Sequence, residues 1–190
     1  MRFTGPGLHS ATRFVLQTLV VVLLFAGMGE TVSAAEETDL VHEPLSLIDF
    51  CIEDQRGKLR TSGYFRNSVV VLISGDRKGN SFREEWSPVL TDSLTAELKC
   101  YRVKFLPHAH LEGAPFFMKG TIRNKFSESP DEWVLMDWDG EFRKAYDLAE
   151  DRLSIVVFDA LGTRRIQVAV QEFDGQVFHR TLAGIRELLQ

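Results

Sequence analysis

Hydrophobic and polar positions alternate along this chain in three distinct ways. Residues 14–26 (FVLQTLVVVLLFA) are apolar except for Gln17 and Thr18. Residues 68–74 (SVVVLIS) form a continuous β-branched run, the pattern of a strand buried on both faces as in a parallel sheet. Beyond the polar stretch Gly75-Asp76-Arg77-Lys78-Gly79-Asn80, a helical period sets in. Phe82, Trp86, Val89, Leu90 and Leu94 share one face, and Pro88 is placed to kink the helix. Upstream, Ile48 to Ile52 reads as a strand turned by Asp54-Gln55-Arg56-Gly57. Downstream, residues 99–106 predict a strand stopped by Pro107, and residues 114–126 a helix with Pro115 in its first turn, where a missing N–H is harmless. Residues 133–138 predict a strand closed by Asp139-Gly140, and residues 142–148 a short helix. Residues 154–158 and 164–170 flank Leu161-Gly162 as a hairpin, and residues 178–189 close the chain as an amphipathic helix. Strands alternating with helices, then a hairpin and a last helix, predict an α/β fold with a mixed sheet covered on both faces.

The apolar run near the start changes the domain picture. Arg2 and Arg13 precede it, and Val32-Ser33-Ala34 follows with small residues suited to cleavage. Residues 1–34 therefore read as a secretory signal peptide, with Ala35 or Glu36 as the new N-terminus and a periplasmic or secreted destination. The run falls short of the roughly 20 apolar residues of a membrane span, so an uncleaved anchor is the secondary reading and no stable span is expected after cleavage. Residues 35–45 form a polar lead-in, and residues 46–190 a single domain. The 190-residue chain has a formal net charge of -5, which gives nucleic acid no counterion-release advantage, so that partner class is not expected. The sequence calls for no cofactor.

Three stretches, in order, carry a resemblance. Phe50 to Lys58 (FCIEDQRGK) resembles an F-x-L-x-D-x-x-G-K hairpin, residues 133–146 (WVLMDWDGEFRKAY) a strand, D-x-D/N-G turn and helix leading to a tyrosine, and residues 155–162 (IVVFDALG) the strand and turn that follow. Together they are similar to the thioredoxin-like superfamily, in its exported peroxiredoxin-like and TlpA-like branches, and the layout most resembles the YtfJ-type periplasmic proteins. The resemblance implies a three-layer sandwich with an N-terminal hairpin. It also implies that Pro88 is the kinking proline of the active-site helix. Counting back from Pro88, Asn80 and Arg83 stand where the two redox cysteines would be, and Leu153-Ser154 where a cis-proline and threonine would be. Neither Asn80 nor Arg83 supplies a thiolate, so a domain that binds a protein or peptide partner without thiol chemistry is expected.

Other residues offer chemistry. Asp76, Arg77, Lys78, Asn80, Ser81 and Arg83 lie in or just after a loop before a helix start, where an anion or acidic peptide is one reading and a solvated turn the other. His108, His110 and Glu112 form H-x-H-x-E, ligand types suited to zinc or copper, or else a polar surface loop. Cys51 and Cys100 are the only cysteines, and no C-x-x-C is present. They read as two buried thiols, with a disulfide between neighbouring strands or a divergent peroxiredoxin-like or thiol-disulfide activity as alternatives. Phe116-Phe117-Met118 reads as part of a buried helix, with an exposed apolar patch as the alternative.

Overall fold

The computed structural model describes residues 45–190. The expected leader and most of the lead-in lie outside the described residues. Among the described residues no helix is long and apolar enough to cross a membrane.

Two short strands, β1 (Cys51–Glu53) and β2 (Leu59–Thr61), form an antiparallel hairpin. Its turn is held by Asp54, whose carboxylate accepts the N–H groups of Arg56 (2.9 Å) and Lys58 (3.0 Å) and pairs with Arg60. Gly57, at φ 78, supplies the left-handed position that the turn requires. The predicted strand at 48–52 starts later than its pattern suggested. Residues before it are engaged elsewhere: Ser46 bridges Thr163, and the Ile48 N–H donates to the Tyr146 hydroxyl at 2.7 Å.

The main sheet has five strands: β3 (Val69–Gly75), β4 (Val103–His110), β5 (Leu135–Asp137), β6 (Leu153–Phe158) and β7 (Arg164–Val170). Their order is β5-β4-β3-β6-β7, with β3, β4 and β5 parallel and β6 and β7 antiparallel to their neighbours. Central β3 is buried along its whole length. Val69, Val71 and Ile73 enter one core with Trp86, Leu90, Phe178 and Ile185, while Val70 and Leu72 enter a second with Phe50, Phe142, Tyr146 and Phe158. This is the two-sided burial that the β-branched run predicts.

Among the described residues the α-helices are α1 (Gly79–Ser93, containing Pro88), α2 (Thr95–Lys99), α3 (Lys119–Arg123), α4 (Glu141–Tyr146) and α5 (Gly175–Glu187). On α1, Trp86 and Leu90 are buried as the period predicts, but Val89 is exposed. Residues 99–102 are the end of α2 and a turn, so the strand predicted at 99–106 begins at Val103. It then runs through Pro107 to His110. Pairing with β5 begins only at His108, so the ladder on that side starts past the residue that has no N–H.

The helix predicted at 114–126 is reduced to a 3-10 turn (Phe116–Met118) and the single turn of α3. Gly120 lies inside that turn and Asn124 caps it, both poor at extending a helix. Phe116 and Phe117 are each 83% exposed, which corrects their expected burial.

Candidate functional site

Parallel strands bring polar side chains together at their carboxyl ends, where open α/β sheets place ligands. Ser74 on β3 stands beside His108 on β4, and Asp137 on β5 stands beside His110. The imidazole of His108 bridges its neighbours, with Nδ1 2.8 Å from Ser74 Oγ and Nε2 3.0 Å from Asp137 Oδ2. All three residues are buried, and the Phe142 ring lies 4.6 Å from the imidazole. Asp137 also accepts the N–H groups of Glu141 (3.1 Å) and Phe142 (3.0 Å), so it holds the start of α4.

These bonds fix the protonation pattern. Burial pushes the Asp137 carboxyl up, but the hydrogen bond from His108 and the two backbone donors outweigh it and hold the pKa at about 2. Burial pushes the His108 imidazole down from its ordinary value, more than Asp137 raises it. A neutral imidazole facing an ionised carboxylate carries its proton on Nε2. Nδ1 then accepts from the Ser74 hydroxyl.

Above this row lies a cleft lined by Ser74, Gly75, Asp76, His110, Arg143, Leu148, Ala149 and Glu150. Its volume is about 10 Å³, room for one water. Arg143 pairs with Glu150 and reaches His110 Nε2 at 3.4 Å. A guanidinium only donates, so that contact places the His110 proton on Nδ1, which is buried without a partner. Glu112 pairs with Lys144 at 2.8 Å, and the hydrogen bond from that ammonium lowers its carboxyl pKa.

Of the residues singled out from the sequence, the structure brings Asp76 and His110 into one cleft, with Glu112 4.0 Å from His110. Asp76 Oδ1 caps the approach to α1 by accepting the N–H groups of Lys78 (3.0 Å) and Gly79 (2.8 Å), and Oδ2 accepts that of Asp151 (2.7 Å). Lys78 pairs with Asp151, Ser81 bonds the Lys78 carbonyl, and Arg77 is exposed. His108 and His110 are strand residues and not part of a surface loop, which corrects that expectation. Both nitrogens of His108 are engaged, and among the described residues no group of three His, Cys, Asp or Glu side chains is arranged to hold a metal ion. Sequence reasoning missed Ser74, Asp137, Arg143 and Glu150 as members of this site. The available signal was the sheet register, because Ser74 ends the central buried run and Asp137 opens the D-x-D-G turn.

No protein-family model matches the chain, and no curated protein sequence matches it. Solved structures do. One, named as a protein disulfide isomerase from Bacteroides thetaiotaomicron, superposes with a TM-score of 0.58 at 18% identity, covering 79% of this chain and 91% of that one. A thiol:disulfide interchange protein DsbE from Chlorobium tepidum gives 0.58 at 15% identity, over 78% and 99%. The exposed lipoprotein thioredoxin of Streptococcus pneumoniae gives 0.52 at 16%, over 72% and 98%. The fold is thioredoxin-like.

Within this thioredoxin-like fold, the proline-containing helix α1 opens with Gly79-Asn80-Ser81-Phe82-Arg83. Asn80 Oδ1 and Arg83 Nη1 are buried without hydrogen-bond partners, and the Arg83 guanidinium lies 5.8 Å from the centre of the Phe126 ring. Burial pushes the Arg83 pKa down, against the opposing charge of Glu84. The helix start sits hard against the entry to β6: a Cβ on Gly79 would lie 2.1 Å from the Arg152 carbonyl oxygen. Neither cysteine is nearby in the chain. Cys51 lies on β1, opposite Thr61, and Cys100 follows α2. Both are free and exposed, which corrects the expected burial, and β1 pairs with β2 alone in its sheet.

Proposed function

We propose that this chain is an exported thioredoxin-fold domain that works by binding a protein or peptide partner and not by dithiol exchange. The observation that carries the reading is the composition of the first turn of α1. In a dithiol enzyme, a thiolate there is activated by the helix dipole and free N–H groups. Asn80 and Arg83 offer an amide and a cation at those places instead. Export rests on the sequence pattern of residues 1–34. N-terminal sequencing of the protein from cell envelopes checks it, with Ala35 or Glu36 expected as the first residue.

One observation favours a second reading. Both thiols are exposed, so Cys51 or Cys100 is accessible to an oxidant or a partner disulfide. Insulin reduction and hydroperoxide consumption, compared between the wild type and the Cys51→Ser/Cys100→Ser variant, separate the two. Equal background rates support the binding domain. Turnover by the wild type that the double variant loses supports a divergent thiol oxidoreductase.

A further inference from the structure

The segment after β4 carries a feature that the cleft does not use. The chain reverses at Gly113 (φ 79) and Pro115, then presents Phe116 and Phe117 side by side, each 83% exposed, with Met118 at 38%. Adjacent apolar residues so exposed are uncommon on a soluble surface and mark a contact. Side chains lining a groove would lose most of their exposure to its walls, so these rings project. A projecting tip has no wall to hold a peptide. A lipid surface needs none.

The charged side chain placed against the tip is a lysine. The Lys119 ammonium lies at its base, 5.6 Å from the Phe116 ring centre and 4.8 Å from that of Trp138. Lys125 is exposed, without an ion pair among the described residues. Residues 113–127 contain no acid, although the chain as a whole is acidic. Glu112, the acid just before them, is engaged by Lys144, and Arg123 by Glu53. Within the tip, the Ala114 N–H donates to the Leu111 carbonyl (3.1 Å) and the Met118 N–H to the Pro115 carbonyl (2.9 Å). Two rings, a thioether and a lysine at their base match the interface of an anionic bilayer, where apolar side chains enter below the headgroups and cations meet them.

We infer that the Phe116-Phe117-Met118 tip, with Lys119 and Lys125, is a peripheral docking site for an anionic phospholipid surface. The inference is independent of the partner-binding reading. The test uses the chain from residue 35 onward, which contains the whole described fold, in co-sedimentation with two kinds of vesicle. One is phosphatidylcholine containing about one third phosphatidylglycerol, and the other phosphatidylcholine alone. The wild type is expected to pellet with the anionic vesicles, less with the neutral ones, and less at high salt. Phe116→Ser/Phe117→Ser is expected to lower the affinity at least about tenfold, since apolar burial supplies much of interfacial binding. Both rings are exposed, so its thermal melt should match that of the wild type. Lys119→Glu/Lys125→Glu should abolish the preference for anionic vesicles. Failure of the wild type to pellet, or unchanged binding by the double phenylalanine variant, would overturn the proposal. Capture of a folded protein through the tip, without vesicle binding, would also overturn it and make the tip a protein-docking patch.

Discussion

Removing the carboxylate of Asp137 tests whether the buried serine–histidine–aspartate row anchors α4 to the sheet. Asp137→Ala deletes the acceptor for two N–H groups at the start of α4 and the partner of the His108 Nε2–H. Loss of a helix-start acceptor costs about 1 kcal/mol. A buried imidazole N–H left without an acceptor costs about 1–3 kcal/mol more, and no water replaces the carboxylate easily at a site 1% exposed. The sum is about 2–4 kcal/mol, a large part of the stability of a small domain. Equilibrium urea unfolding measures it as a fall in the midpoint at unchanged slope. Asp139→Ala, two residues on and exposed, is the matched control and should change stability by about 0.5 kcal/mol or less. Replacing the pair in His108→Leu/Asp137→Leu should cost less than the two single substitutions added together, because neither member of the His108–Asp137 bond is then left facing a lost partner. A cost below about 1 kcal/mol for Asp137→Ala, or one equal to that of the control, would refute the anchoring role.

Two further perturbations read other parts of the structure. The His108 pKa is lowered in the fold, so the unfolded chain binds a proton that the folded chain refuses once the pH drops below 6.5. Stability therefore declines as the pH falls below that value. The Asp137 contribution is lost lower still, as the pH falls from 3.8 towards about 2. Urea midpoints across this range should show the first decline in the wild type and lose most of it in His108→Leu. A wild type equally stable above and below pH 6.5 would contradict the assignment. Gly79→Ala would drive a methyl group into the Arg152 carbonyl, and should lower stability by about 1–3 kcal/mol, while Gly120→Ala, which meets open space, should not. Equal melting temperatures for the two variants would refute the close approach of α1 to β6.

Much of the fold is legible in the sequence because single-residue patterns decide it. The run 68–74 has no polar side to offer solvent, so it belongs at the centre of a covered sheet, and it is there. Leu161-Gly162 and Asp139-Gly140 fall in turns because each glycine takes a positive φ, 84 and 69. The misreadings have tertiary causes. Pro107 breaks a strand by local rules, yet it is tolerated because pairing with β5 starts one residue later. His108 reads as a polar loop residue until the register places Ser74 and Asp137 on either side of its ring. Phe116 and Phe117 read as core because hydrophobicity gives no direction, and only the shortness of α3 leaves them outside. The site is legible only in fragments, since a cleft shared by β3, β4 and α4 is a product of strand order.

The central claim is that the first turn of α1 occupies the dithiol position of a thioredoxin-like fold and carries no sulfur. The direct measurement is disulfide formation in an Asn80→Cys/Arg83→Cys variant on a Cys51→Ser/Cys100→Ser background. Residues three apart in a helix's first turn lie within the Cα separation of about 4.4–6.8 Å that a disulfide needs. The account predicts a reversible intramolecular disulfide in the variant and insulin reduction above that of the parent. Failure of the two thiols to pair, in a variant that melts like its parent, would contradict it.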